Sequence, residues 1–275
     1  MKKKVLYLGA ILIVLISINS CDLEELTNLV SLTDISDAMP TIEENMEVQA
    51  KIIDVFENVN NLIDVSDMKS LYLRGDGPKI TADGNTYTFD YTEVPNSSGI
   101  IVVAFSGEPS WLTLELKATI TFNDYESDDY TINGGMELKV NPTLLGTINY
   151  TLKTINSLTI INIDDTFTWS CDYLIKWTEG LLTTNDSSDN TYLMSGSSTQ
   201  VKDGDTNILE IIEDLLLEYS CEYIKQGVIK VTINSGDDSL ELSVDFGVDA
   251  DGNNSNDCDS NAIISSGGLS LPVEF

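Results

Sequence analysis

From Leu71 onward, apolar and polar residues alternate with a period of two. Leu112, Leu114, Leu116, Ala118, Ile120 and Phe122 interleave with Thr113, Glu115, Lys117, Thr119 and Thr121. Met136, Leu138 and Val140 form a second row, Ile148, Tyr150 and Leu152 a third, and Leu240, Leu242, Val244 and Phe246 another. The longest runs through Phe167, Trp169, Cys171, Tyr173, Ile175 and Trp177. Such rows predict strands with one buried and one wet face, hence an antiparallel sheet. Turn residues part them at Asp83-Gly84-Asn85, 124–129, Asn133-Gly134-Gly135, 185–190 and 235–238.

Before the strands the period is different. Ile42, Met46, Gln49/Ala50, Ile53, Phe56, Val59/Asn60 and Ile63 step by three and four, with Glu43 and Glu44 in the first turn. This predicts an amphipathic helix over 41–68, opened by Thr41 and needing a sheet to cover. Residues 21–40, polar and punctuated by Pro40, read as a tether. The fold class is all-β, an antiparallel sandwich-like or curved meander sheet over 69–275, with an N-terminal amphipathic helix. Residues 207–275 are a candidate terminal β subdomain.

One segment fits two periods. Ile208, Ile211, Ile212, Leu215, Leu216 and Tyr219 suit a helix, whereas Leu215, Leu217, Tyr219, Cys221 and Tyr223 suit a strand. Trp169-Ser170-Cys171-Asp172-Tyr173-Leu174 is echoed in type by Tyr219-Ser220-Cys221-Glu222-Tyr223-Ile224. The first copy sits in a strand row, so the echo favours a strand for the second.

The first 20 residues have the plan of a signal peptide: Lys2, Lys3 and Lys4, an apolar run from Val5 to Ile18, then small polar residues. The run is short for a transmembrane helix. Ile18-Asn19-Ser20-Cys21 resembles a bacterial lipobox, which implies acylation of Cys21 and cleavage before it. Acyl chains then anchor the protein, and the membrane is met through them alone. Asp22-Leu23-Glu24-Glu25 is compatible with either inner-membrane retention or surface export, so leaflet and membrane stay open.

Charge narrows the function classes. Lys and Arg number 14 against 45 Asp and Glu, a formal net charge of −31, and histidine is absent. Cutting off Lys2, Lys3 and Lys4 leaves 11 basic side chains against 45 acidic, a net −34. An acidic surface of this kind has no means of neutralising phosphates, so nucleic acid is excluded as a partner. Without histidine there is no Ser-His-Asp triad, no Cys-His pair and no His-ligated zinc. No G-x-S-x-G, P-loop or dinucleotide fingerprint occurs either, and the chain reads as a non-enzyme.

Towards the C-terminus, Cys221-Glu222-Tyr223-Ile224 leads through Gly227-Val228-Ile229-Lys230-Val231 and Val244-Asp245-Phe246-Gly247 to Asp257-Cys258-Asp259-Ser260-Asn261-Ala262. This resembles a group of uncharacterised bacterial envelope lipoproteins whose pattern runs C-x-Y-I-x-x-G-x-I-x-V-T, then D-F-G-D-G-x-C-D-N-x-A. The hairpin from Thr121 to Gly134 also resembles their strand-turn-strand units. The chain departs from the pattern by inserting 248–256 and by carrying Ser260. The resemblance implies a β-rich exported protein with no assigned activity, and it implies a Cys221–Cys258 disulfide. Cys171 with Cys221 is the rival pairing, and three buried thiols the third option.

Asp249, Asp251, Asn253, Asp257 and Asp259 crowd one loop and are candidate Ca²⁺ ligands. Counted from Asp249, the sixth and twelfth positions are Asn254 and Ser260, so no EF-hand is present and a solvated loop is the first reading. Asp203, Asp205 and Asn207 form a smaller group of the same kind. Asp128/Asp129, Asp164/Asp165 and Asp237/Asp238 occupy predicted turns, and glycoside chemistry needs two carboxyls across a cleft. Trp111 is a candidate surface aromatic, Trp169 and Trp177 core. The expected function is a lipid-anchored, non-catalytic structural or surface-interaction protein of the cell envelope. The alternatives are a carrier of an apolar ligand between helix and sheet, and a Ca²⁺-dependent or carbohydrate-binding module.

Overall fold

The computed structural model describes residues 31–63 and 77–275, except 112, 114, 144–146, 182, 184–186 and 237. The signal sequence, the lipobox, Cys21 and the first part of the tether therefore lie outside the described residues, as do Leu71, Leu112 and Leu114.

Helix α1 spans Leu32–Asn60 and starts nine residues before the predicted Thr41. Its start signal is a capping box: the Ser31 hydroxyl accepts from Asp34 N at 3.2 Å, and Asp34 Oδ2 accepts from Ser31 N at 2.7 Å. Pro40 lies inside the helix and does not end the tether. It is tolerated because its ring is exposed and the carbonyl it frees, four residues back on exposed Ser36, lies on the same wet side. The helix closes at Asn60, short of the predicted 68. Ile35, Ala38, Ile42, Asn45, Val48, Gln49, Ile52, Val55, Phe56, Val59 and Asn60 make its buried stripe, while Met46 and Ile53 pack half-buried at the margin.

The sheet comprises β1 (Lys79–Asp83), β2 (Thr86–Asp90), β3 (Ser97–Phe105), β4 (Leu116–Ser127), β5 (Tyr130–Pro142), β6 (Ile148–Thr154) and β7 (Leu158–Ile161). It continues with β8 (Thr166–Glu179), β9 (Thr191–Lys202), β10 (Asp205–Glu218), β11 (Gln226–Ser235), β12 (Asp238–Phe246), β13 (Asn261–Ser266) and β14 (Leu269–Glu274). All pairings are antiparallel and follow chain order, a meander rather than two packed sheets. β6 and β7 share one lane: both pair with β5 on one side and β8 on the other, with 155–157 breaking the lane.

Two places depart from the sequence reading for a common reason. The segment 208–218 is strand, not helix, and β10 carries two extra residues opposite β9: Ile211 faces Gly196, and Leu215 faces Met194. The bulge leaves Glu213 exposed between buried Ile211 and Leu215, and Ile208 and Ile212 lie on the outward face at 37% and 53% exposure, which is why the run imitates a helix. Beyond Glu218 the chain turns, so the second copy of the echo lies in the connection to β11 and not in a strand. Likewise Asn133-Gly134-Gly135 sits within β5, opposite a bulge in β4. Gly134 has φ 127°, and a Cβ there would come within 2.9 Å of the Leu158 side chain. The glycine pair serves a close approach rather than a hairpin turn.

The inward faces of the strands and the stripe of α1 form one continuous core, from Ile35 through Ile80 to Ile264. Trp169, Trp177, Tyr150, Tyr173, Phe56 and Phe122 are its largest fully buried members. The outward face is polar along a register line that crosses the sheet. Thr119 pairs with Glu137, Glu137 with Lys153, Lys153 with Asp172, Asp172 with Ser197, Ser197 with Glu210, and Glu210 with Lys230.

Candidate functional site

Amide and carboxylate groups on the inner stripe of α1 dock onto aromatic and polar side chains of β6, β8 and β9. Asn45 Oδ1 accepts from Trp169 Nε1 at 2.9 Å and from Ser198 Oγ at 3.1 Å. One turn on, Gln49 Oε1 accepts from the Tyr173 hydroxyl at 2.8 Å. At the helix end, Asn60 Oδ1 accepts from the Tyr150 hydroxyl at 2.7 Å, and its Nδ2 donates to Tyr192 at 3.3 Å. Asn45, Gln49 and Asn60 are each at most 4% exposed, so this seam fixes the register of helix on sheet through groups that cannot be left unpaired.

Charges sit at the margins of the seam. Glu44 accepts from Asn162 Nδ2 at 2.7 Å and from Gln200 Nε2, and lies 3.4 Å from Lys202. Burial works against the Lys202 charge, but Asp165 at 2.7 Å and Glu44 outweigh it and raise its pKa. Lys51 reaches Asp128 at 3.0 Å. Burial, opposed by Lys51 and reinforced by Asp128, raises the Asp54 pKa. Glu57 is pushed up to about 7 by desolvation, with the Asp54 charge adding to it. These acids have the perturbed pKa values that functional sites often show, and Asp128, whose charge acts on Asp54, lines a surface cleft.

The sequence candidates separate. Cys221 and Cys258 form a disulfide with Cα atoms 5.7 Å apart, so the rival Cys171–Cys221 pairing is excluded. Cys171 is a buried free thiol, and burial pushes its pKa up to about 12, far from a reactive thiolate. Trp111 is not a surface aromatic: it packs edge-on against Trp177 at 5.4 Å and directs Nε1 at Asn60 Oδ1, 3.5 Å away. Asp128 and Asp165 are occupied by Lys51 and Lys202.

The acids of the 247–260 loop cap their own backbone. Asp249 Oδ1 accepts from Asp251 N at 3.0 Å and Asn253 N at 2.8 Å, which lowers the Asp249 pKa. Asp257 accepts from Ser255 Oγ at 2.9 Å, and Asp259 from Asn261 N at 2.9 Å. Among the described residues no group of three acids or cysteines is placed to hold a metal ion. Asp203, Asp205 and Asn207 also part company: Asp203 is in a turn, Asp205 accepts from Ser235 at 2.9 Å, and Asn207 is buried beside Gln200.

Clefts open on the surface of the described residues. One, of about 550 Å³, is lined by Glu213, Gln226, Val228, Asp245 and the 254–256 edge of the disulfide loop. Another, of about 430 Å³, is lined by Asn96, Ser97, Glu126, Asp128 and Asp129. Burial, with Glu213 adding to it, raises the pKa of Asp245. The pairing of Glu213 and Asp245 is illegible in the sequence because the β10 bulge sets the register. Asn45, by contrast, leaves a signal: a polar residue on an apolar helical stripe.

Among the described residues no helix is long and apolar enough to cross a membrane. Comparison of the chain with family models, with curated proteins and with solved structures finds no match.

Proposed function

We propose that the chain is a lipid-anchored, exported protein of the bacterial cell envelope whose β body has a non-catalytic, structural or surface-interaction role. The observation that carries this reading is the division of labour between the two faces of the sheet. The inner face is consumed by α1 and a continuous core, whereas the outer face offers a wide polar surface of Thr, Ser, Glu and Lys. Every described lysine except Lys79 lies within 4.0 Å of a carboxylate, so among the described residues little positive charge is left to offset the excess of acid. A surface of that sign is repelled by anionic headgroups and stands off the membrane that the acyl chains hold.

A carrier of an apolar ligand would keep its cargo between helix and sheet. Phe56, Tyr150, Trp169 and Tyr173 fill that space, each less than 2% exposed, which favours the structural role over the carrier. The anchor itself rests on Lys2–Lys4, the apolar run and the Ile18–Cys21 tetrapeptide. Expression of the full chain in a bacterial host with a labelled fatty acid tests it. The label is expected on the wild-type protein in the membrane fraction, and C21S is expected to be unlabelled and released. Unlabelled wild-type protein in the soluble fraction overturns the proposal.

A further inference from the structure

Among the described residues the sheet runs open from β1 to β14, and β14 is hydrogen-bonded on one side only, to β13. Two contacts fix which backbone groups face the free side. Phe275 N donates to Ser260 O at 3.0 Å, one step beyond the pair Asn261 and Glu274. At the other end Gly267 and Gly268, at φ 57° and 83°, make a two-residue type I′ turn between the paired Ser266 and Leu269. Hydrogen-bonded pairs alternate along an antiparallel ladder, so Leu269, Leu271 and Val273 direct their N–H and C=O groups at β13. Ser270, Pro272 and Glu274, all exposed, direct theirs at the free edge. Pro272 stands in the middle of the three and carries a ring where the donor would be.

Without that ring β14 would be a good template. Its inward row, Leu269, Leu271, Val273 and Phe275, is half-buried against the core, so a strand laid alongside would extend both the ladder and the apolar face. β14 pairs with β13 without a bulge and carries no lysine, so neither of those common edge guards is present. The opposite edge is protected differently: β1 is five residues long, begins at Lys79 and follows directly on Pro78. The strand that fits β14 best is therefore another β14. About a two-fold axis through residue 272, Ser270 faces Glu274 of the second copy, and no two acids are opposed. We propose that the free edge of β14 is a strand-addition surface for β14 of a second copy, and that Pro272 holds it closed. At the axis of such a pair the two prolines face each other, so two donors are missing and each ring is pressed on the opposite carbonyl.

The competing explanation for a chain that stays single is repulsion between copies of net charge −31. Sedimentation velocity of the full chain in density-matched detergent, at about 0.15 M ionic strength where the Debye length is about 8 Å, separates the two. The wild type is expected to remain monomeric across the accessible concentrations. P272V supplies both the missing N–H and a strand-forming side chain, and is expected to dimerise about tenfold or more tightly than the wild type. S270P/P272V moves the ring to the neighbouring edge-facing position, where no bond to β13 is lost, and is expected to return the chain to monomer. Circular dichroism confirms that each variant is folded. A P272V chain as monomeric as the wild type overturns the proposal. So does P272V association that S270P leaves intact, and so does a ladder of larger oligomers, the product of β14 pairing with β1 of the next copy.

Discussion

Asn45 on α1 accepts the indole N–H of Trp169 on β8 at 2.9 Å, a bond between residues 124 apart in the chain and both buried. It decides how the helix sits, because a shift of α1 by one residue would leave a buried indole donor unpaired. Asn45→Ala removes the acceptor for both Trp169 and Ser198 and is expected to cost about 2–4 kcal/mol. Urea unfolding followed by tryptophan fluorescence measures it. A loss below about 0.5 kcal/mol would show that the seam does not hold the helix.

Glu57 gives the protein an inverted response to acid. Its pKa is near 4.5 when exposed and about 7 in the fold, so the folded state holds the proton more tightly. The stability it contributes is complete below about pH 4.5, falls as pH rises through 7, and is absent above. The span is up to about 3 kcal/mol, less where solvent reaches the carboxyl. Glu57→Gln should flatten the stability profile between about pH 5 and 8 and raise the midpoint of thermal unfolding at about pH 8. An unchanged profile would remove Glu57 as the cause.

Pro40 withholds one hydrogen bond from the middle of α1 on its exposed side. Pro40→Ala restores that bond without disturbing the core and is expected to stabilise by about 1–3 kcal/mol, visible as a higher thermal midpoint. Destabilisation instead would mean that the proline sets a bend which the sheet requires.

The disulfide closes a chain segment with sequence separation 37. Its removal as C221S/C258S is expected to cost about 4 kcal/mol through the entropy returned to the unfolded chain. Cys171 should resist alkylation in the native state and react only once the protein is unfolded, a contrast read by mass spectrometry with and without denaturant. Rapid native alkylation would contradict its buried setting.

The strand rows are legible because one face of each strand is buried and the other wet, and a two-residue period records that directly. Bulges are not, since extra residues break the alternation of burial where the chain stays extended, as at Glu213, exposed between buried Ile211 and Leu215. The early start of α1 is hidden because Pro40 outweighs the Ser31/Asp34 box; the box is weak in composition and strong only as geometry. Of the site residues, Asn45, Gln49 and Asn60 are visible as polar interruptions of a stripe. Glu213 and Asp245 are not, because their neighbourhood is created by strand pairing across a bulge.

The meander lets each strand find its partner immediately behind it in the chain, so the sheet is able to grow from β1 onward as synthesis proceeds. The helix has the opposite timetable. It is made first, yet its anchors Trp169, Tyr173, Tyr192 and Ser198 arrive more than 120 residues later. Cover for α1 begins with β5 and β6, through Lys51 over Tyr130 and Phe56 against Tyr150, but its buried amides Asn45 and Gln49 gain partners only when β8 and β9 emerge, so the oldest element is fixed in place late.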